Sequence, residues 1–247
     1  MRDLNDYYQK YIDEPFEGIM VQYRRKMELA FLDKYKPDSV LEIGCGMEPM
    51  FEHWGHAKQM AVVEPQDIFY LNAVEKAKLY ENVSVLHGMF QDVYKELAKN
   101  RWDVILCSGV LGEVADPESF LKKIFEISHM NTRILLITSN ANSFHRVLGK
   151  EMGLIEDVHS ISGRSEELQQ LKVFDCGMME KLVWECGGET GELCTYFIKP
   201  FTHAQMRACL DNNIFTEQVL DGMWNMSKYL PEYGAEIYCD CCRRQGG

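Results

Sequence analysis

Val40-Leu41-Glu42-Ile43-Gly44-Cys45-Gly46 is an apolar run that reaches an acidic residue and then breaks into two glycines one residue apart. A short apolar run bounded by glycine reads as a buried strand giving way to the next element. Lacking side chains, Gly44 and Gly46 permit a sharp turn and let a ligand lie against main-chain N–H groups. Glu42 stands at the carboxyl end of that strand, the edge on which open α/β sheets bind ligands. The stretch therefore predicts an α/β domain with a nucleotide-type ligand at the turn.

Outward from it, further apolar runs place strands at 39–43, 59–63, 83–87, 103–107, 133–138, 193–198 and 235–239. Helical spacing begins near Pro49, Gln66, Gln91 and Pro117, and Asp116-Pro117-Glu118 offers a cap, a first-turn proline and an early acid. Strands alternating with helices are the pattern of a doubly wound, mainly parallel sheet. After Thr138 the alternation stops. Residues 139–172 form an insertion suited to covering a substrate, and residues 1–37, with tyrosines and an amphipathic stretch at 19–35, form a helical cap on what otherwise reads as one domain, 1–247.

With 247 residues, 46% of them hydrophobic and 26% charged, the composition is that of an ordinary globular domain. The net charge of −12 argues against a nucleic-acid partner, whose affinity rests on Lys and Arg neutralising phosphates. No apolar segment approaches the roughly 20 residues that cross a bilayer, and Met1 to Tyr8 lacks an apolar signal core, so a cytoplasmic protein without a membrane partner is expected. The nine cysteines read as reduced core residues. Cys239, Cys241 and Cys242 lack the paired Cys-x-x-Cys spacing of a thiolate zinc site, and no metal is expected.

Glu64, ending the second predicted strand, follows the glycine turn at the distance where a carboxylate accepts ribose hydroxyls. A dinucleotide site would want a third glycine beneath its pyrophosphate, but position 49 is proline, and Glu42 and Glu48 would repel phosphate. Those carboxylates welcome a sulfonium and an amino group, which points to S-adenosylmethionine.

Here the chain resembles the class I S-adenosylmethionine-dependent methyltransferases, whose first motif matches Leu41 to Gly46 and whose ribose-binding acid matches Glu64. The resemblance implies a cofactor site that includes Glu42, Gly44, Cys45, Gly46, Glu64 and Pro65. It also implies an adenine loop at Gly88-Met89-Phe90-Gln91-Asp92, with apolar side chains against the ring and Gln91 or Asp92 at its amino edge, and a channel lined by Ser108, Gly109 and Val110. It further implies the Rossmann-like strand order 3-2-1-4-5-7-6 and S-adenosylhomocysteine as product. The chain departs at Glu48, where many members carry glycine, and at Gly112, where many carry histidine. The stretch 144–155 is similar to a subgroup of bacterial small-molecule methyltransferases.

A hydroxyl acceptor needs a base, and His145 and His159, both in the insertion, are the candidates. Glu113, Arg146 and Lys199 are the candidate substrate contacts, Glu113 for an amine or hydroxyl and Arg146 for an anionic group. The expected function is methyl transfer to an oxygen, with nitrogen second, of a small polar metabolite or sugar-type acceptor. The alternatives are a catalytically inactive cofactor-binding sensor or partner protein, and a nucleotide-linked oxidoreductase. The oligomeric state is not readable from the sequence.

Overall fold

Strand β1 (Ser39–Ile43) lies inside a seven-stranded sheet of order β3-β2-β1-β4-β5-β7-β6 in this computed structural model, which describes residues 3–14, 16–161, 163, 166 and 169–244. The others are β2 (Gln59–Glu64), β3 (Val83–His87), β4 (Val104–Ser108), β5 (Arg133–Ser139), β6 (Gly188–Tyr196) and β7 (Glu236–Arg243). Strands β1 to β5 pair in parallel, while β7 runs antiparallel between β5 and β6.

Both faces of the sheet are covered, which is why its central strands are apolar along their length rather than alternating. Val40, Val104 and Leu106 enter one core with α2 (Glu17–Tyr35), α3 (Asp67–Ala77), α8 (His203–Asp211) and α9 (Glu217–Asn225). Leu41, Ile43, Ile105 and Cys107 enter the other with α4 (Phe90–Leu97), α5 (Pro117–Ile127) and α7 (Cys176–Glu185). The cap read at the start of α5 is present: the Asp116 side chain accepts the Ser119 N–H at 2.9 Å, with Pro117 in the first turn. Such a cap contributes about 1 kcal/mol.

Three expectations need correcting. The segment from Pro49 forms only a single 3-10 turn, Met50–Glu52, because Pro49 is extended and the Met50 N–H is taken by the Glu42 carboxylate at 2.8 Å. Helix α2 covers that face, burying Phe31 and Leu32. The sixth strand begins at Gly188 and stops before Phe197, whose φ of +62° ends the pairing; its register is irregular between Thr190 and Leu193. The seventh strand continues to Arg243, and Cys239 and Cys241 within it are fully buried core residues.

After β5 the chain is pinned before it leaves the sheet. The buried Asn140 side chain donates to the Glu232 and Gly234 carbonyls at 2.9 and 2.8 Å, and helix α6 (Phe144–Glu151) follows. The insertion returns beside Gly112, whose carbonyl accepts the Leu171 N–H at 2.8 Å and the Lys172 N–H at 3.2 Å. Ser162 and Arg164, in the insertion expected to cover a substrate, lie outside the described residues. At the other end, helix α1 (Leu4–Asp13) packs Tyr7, Tyr8 and Tyr11 around Phe69 of α3, with ring centroids 6.4, 5.4 and 5.6 Å from it. Among the described residues no helix is long and apolar enough to cross a membrane.

Candidate functional site

A cavity of about 1670 Å³ opens over the carboxyl ends of β1, β2, β4 and β5, beneath α1 and the insertion. Two left-handed glycines shape its floor, Gly44 at φ +78° and Gly46 at φ +57°. A Cβ on Gly44 would stand 2.7 Å from Val110 Cγ2, so backbone alone fits where the β1 turn meets the β4 loop. Gly109, at φ +78°, turns that second loop as its N–H bonds the Ile137 carbonyl at 2.8 Å.

Glu64 is the organising side chain of the turn. One carboxylate oxygen accepts the N–H of Cys45 at 3.0 Å and of Gly46 at 3.3 Å, and the other accepts that of Gln66 at 2.9 Å. Burial raises its pKa, and those three N–H groups oppose the rise by stabilising the anion. Glu42 is also buried, and burial carries its carboxyl up to about 8 against the pull of Arg25. Desolvation with these two neighbouring acids keeps the Cys45 thiol protonated.

Every residue expected at the site lines this cavity except His159: Glu42, Gly44, Cys45, Gly46, Glu64, Pro65, Phe90, Gln91, Asp92, Ser108, Gly109, Val110, Glu113, His145, Arg146 and Lys199 all face it. Phe90 does so while packing into the core against Phe120, at 5.3 Å between ring centroids. His159 instead bridges two carboxylates outside the cavity, with Nδ1 3.1 Å from Asp157 Oδ1 and Nε2 2.9 Å from Asp175 Oδ2. Both imidazole nitrogens are thus occupied in bracing the insertion against Asp175, the N-cap of α7.

Arg146 also differs from expectation. Its Nε donates to the Val158 carbonyl at 2.8 Å and one Nη to the Ser160 carbonyl, so the fork meant for an anionic group clamps the insertion's own backbone. Burial lowers its pKa. The lack of a histidine at position 112 has a steric cause: a Cβ there would lie 2.9 Å from the Lys172 carbonyl oxygen.

The sequence did not point to Tyr11, Glu14, Arg24, His203 or Glu236, all of which line the cavity. Tyr11 reaches over Gly46, its hydroxyl 3.6 Å from where a Cβ would stand, and burial raises its pKa, as does Glu17. His203, buried in the first turn of α8, sets Nδ1 2.9 Å from Glu14 Oε1. Arg24 bonds Glu236 through Nε at 3.3 Å and through Nη2, which also meets Glu17 at 3.2 Å; the Tyr196 hydroxyl donates to Glu236 from behind. These contacts join residues far apart in the chain, and only the tyrosines of α1 left any trace in the sequence pattern.

The model of a methyltransferase domain family matches residues 16–200. No curated protein sequence matches the chain. Among solved structures, the plantazolicin methyltransferase BamL, in complex with a desmethyl analogue and S-adenosylhomocysteine, is similar over 97% of this chain and 96% of its own, at 14% identity and TM-score 0.55. The N-methyltransferase NodS from Bradyrhizobium japonicum WM9 is similar over 94% of this chain and 98% of its own, at 11% identity and TM-score 0.54. The [4+2]-cyclase SpnF is similar over 91% and 83%, at 12% identity and TM-score 0.57. The match over residues 16–200 establishes that the chain belongs to this methyltransferase domain family, and the observed strand order is the one expected of its Rossmann-like fold.

Proposed function

We propose that the enzyme methylates an oxygen or nitrogen of a small-molecule acceptor held in the outer part of the cavity. The observation that carries this reading is continuity: one cavity runs from the glycine turn and Glu64 to Glu113, His145, Lys199 and His203. When bound, S-adenosylmethionine supplies a methyl carbon activated by positive sulfur. The residues fit it, since Gly44 and Gly46 bring no side chain of their own to the turn and the Glu64 oxygen that accepts only the Gln66 N–H keeps a lone pair for a ribose hydroxyl. Met89 to Asp92, on the cavity wall, would meet its adenine, and Ser108 to Val110 would wall the channel.

On the acceptor side, the attacking atom would have to present a lone pair in line with that methyl carbon, and its proton must be taken up. His145 is the proposed base, because it is the one of the two sequence candidates on the cavity wall. Glu113 and Lys199 orient the acceptor, while α1 and the insertion exclude water and hold the partners in line. Arg146 and His159 hold the insertion in shape. Calorimetric titration tests the cofactor half: S-adenosylhomocysteine and S-adenosylmethionine bind and NAD does not, and failure of both sulfur compounds to bind would overturn the reading. Scanning acceptors for S-adenosylhomocysteine release tests the other half, with His145→Ala then losing turnover while keeping cofactor affinity.

A further inference from the structure

We infer that the acceptor is an amphipathic amine, whose ammonium head enters the cavity and whose apolar body rests on the rim. This deepens the methyl-transfer reading and rests on it, the ammonium first giving one proton to the base so that its nitrogen has the lone pair that accepts the methyl. Size is the first ground. A pocket for one drug-sized ligand measures about 300–1,000 Å³, so a cavity of about 1670 Å³ has room for a nucleoside cofactor and a second molecule of comparable bulk.

Charge is the second ground. Among the described residues, ten acidic side chains line the cavity against four from arginine or lysine. The pairs of Arg24 with Glu17 and Glu236 and of Arg25 with Glu28 commit three of those acids together with two of the cations, and Arg146 is bonded to backbone carbonyls. Burial keeps Glu42 largely protonated at neutral pH, but the remaining acids still dominate. A cleft lined by one sign of charge between low-dielectric walls concentrates ligands of the opposite sign. Phosphorylated and carboxylated acceptors are repelled by this wall.

The rim supplies the third ground. Ile12, Met152, Leu154, Leu171 and Phe201 line the same cavity yet remain 49, 62, 71, 58 and 37% exposed. They come from α1, the end of α6 and the loop after it, the insertion's return and the loop after β6, so apolar surface surrounds the mouth from several sides. Exposed apolar groups gathered at a cavity mouth mark a binding surface. A free sugar or a short polar metabolite would leave them wet.

The test uses the full chain saturated with S-adenosylhomocysteine and titrated calorimetrically with decylamine, decanoate and butylamine below their aggregation concentrations. Decylammonium is expected to bind at least about tenfold more tightly than either of the others. Glu113→Gln reduces the preference for decylammonium over decanoate. The double variant Met152→Ser, Leu154→Ser weakens decylammonium binding about tenfold and leaves S-adenosylhomocysteine affinity unchanged. Decanoate or butylamine binding as tightly as decylamine would overturn the inference, as would no probe binding to the loaded protein. Failure of the wild-type chain to take up S-adenosylhomocysteine at all would instead remove the methyl-transfer reading on which the inference stands.

Discussion

The Gln169 side-chain amide donates to the Asp3 carbonyl at 2.7 Å, so the N-terminal helix and the returning insertion close over the cavity as one joined cover. A second, longer contact at 3.4 Å reaches Asp6 Oδ2 at the start of the same helix. Removing the joint with Gln169→Ala should therefore loosen α1 by about 1 kcal/mol. Hydrogen exchange read by mass spectrometry would show faster exchange over 4–13 with β1 and β4 unchanged; equal exchange in both proteins would refute the joint.

Glu64→Ala takes the shared acceptor from the N–H groups of Cys45, Gly46 and Gln66 and removes the proposed ribose ligand. Affinity for S-adenosylhomocysteine should fall at least about tenfold, and stability by about 1–3 kcal/mol as buried donors lose their partner. Glu64→Gln, which keeps one acceptor oxygen, should fall between the two. Calorimetry and urea denaturation check the two effects separately.

A methyl group at Gly112 would press on the Lys172 carbonyl, whereas one at Gly222 in α9 would meet nothing within 4 Å. Gly112→Ala should cost about 1–3 kcal/mol by overpacking. Gly222→Ala should stabilise the protein by about 0.5–1 kcal/mol by improving the helix. Equal denaturation midpoints for the two variants would contradict the steric account of position 112.

The Glu42 carboxyl, raised from 4.5 to about 8 by burial, keeps a proton in the folded state that the unfolded chain has already released. Its contribution is fully present below about pH 4.5 and is lost as pH rises through about 8. Glu42→Gln has no such proton to lose. Between pH 5.5 and 8.5 the wild-type protein should lose up to about 3 kcal/mol relative to the variant. Denaturant titrations at the two pH values measure it, and parallel behaviour would show that Glu42 ionises normally in its buried setting.

The parallel half of the fold was legible because β1 to β5 are short apolar runs interrupted by polar, helix-forming segments, and because Gly44, Gly46 and Glu64 carry their spacing in the chain itself. The Pro49 segment misled because helical composition cannot reveal that Glu42 captures the Met50 N–H. His159 looked like a base because a histidine in a polar loop carries no mark of the Asp157 and Asp175 that hold it. Arg146 misled in the same way, its partners being backbone carbonyls with no residue signature. Glu14 and His203 meet across 189 positions, a distance over which no local pattern operates.

Arg24 in α2 waits for Glu236, the first residue of β7, across 212 positions of chain. At about 5–20 residues per second of translation, that interval is roughly 10–40 s. Throughout it the helix that walls one side of the chamber has emerged without the acid that anchors it, and the slot between β5 and β6 stands empty. The reaction chamber is thus among the last features of the molecule to be assembled. A nascent chain halted before β7 carries the whole glycine turn and still has no finished room in which to use it.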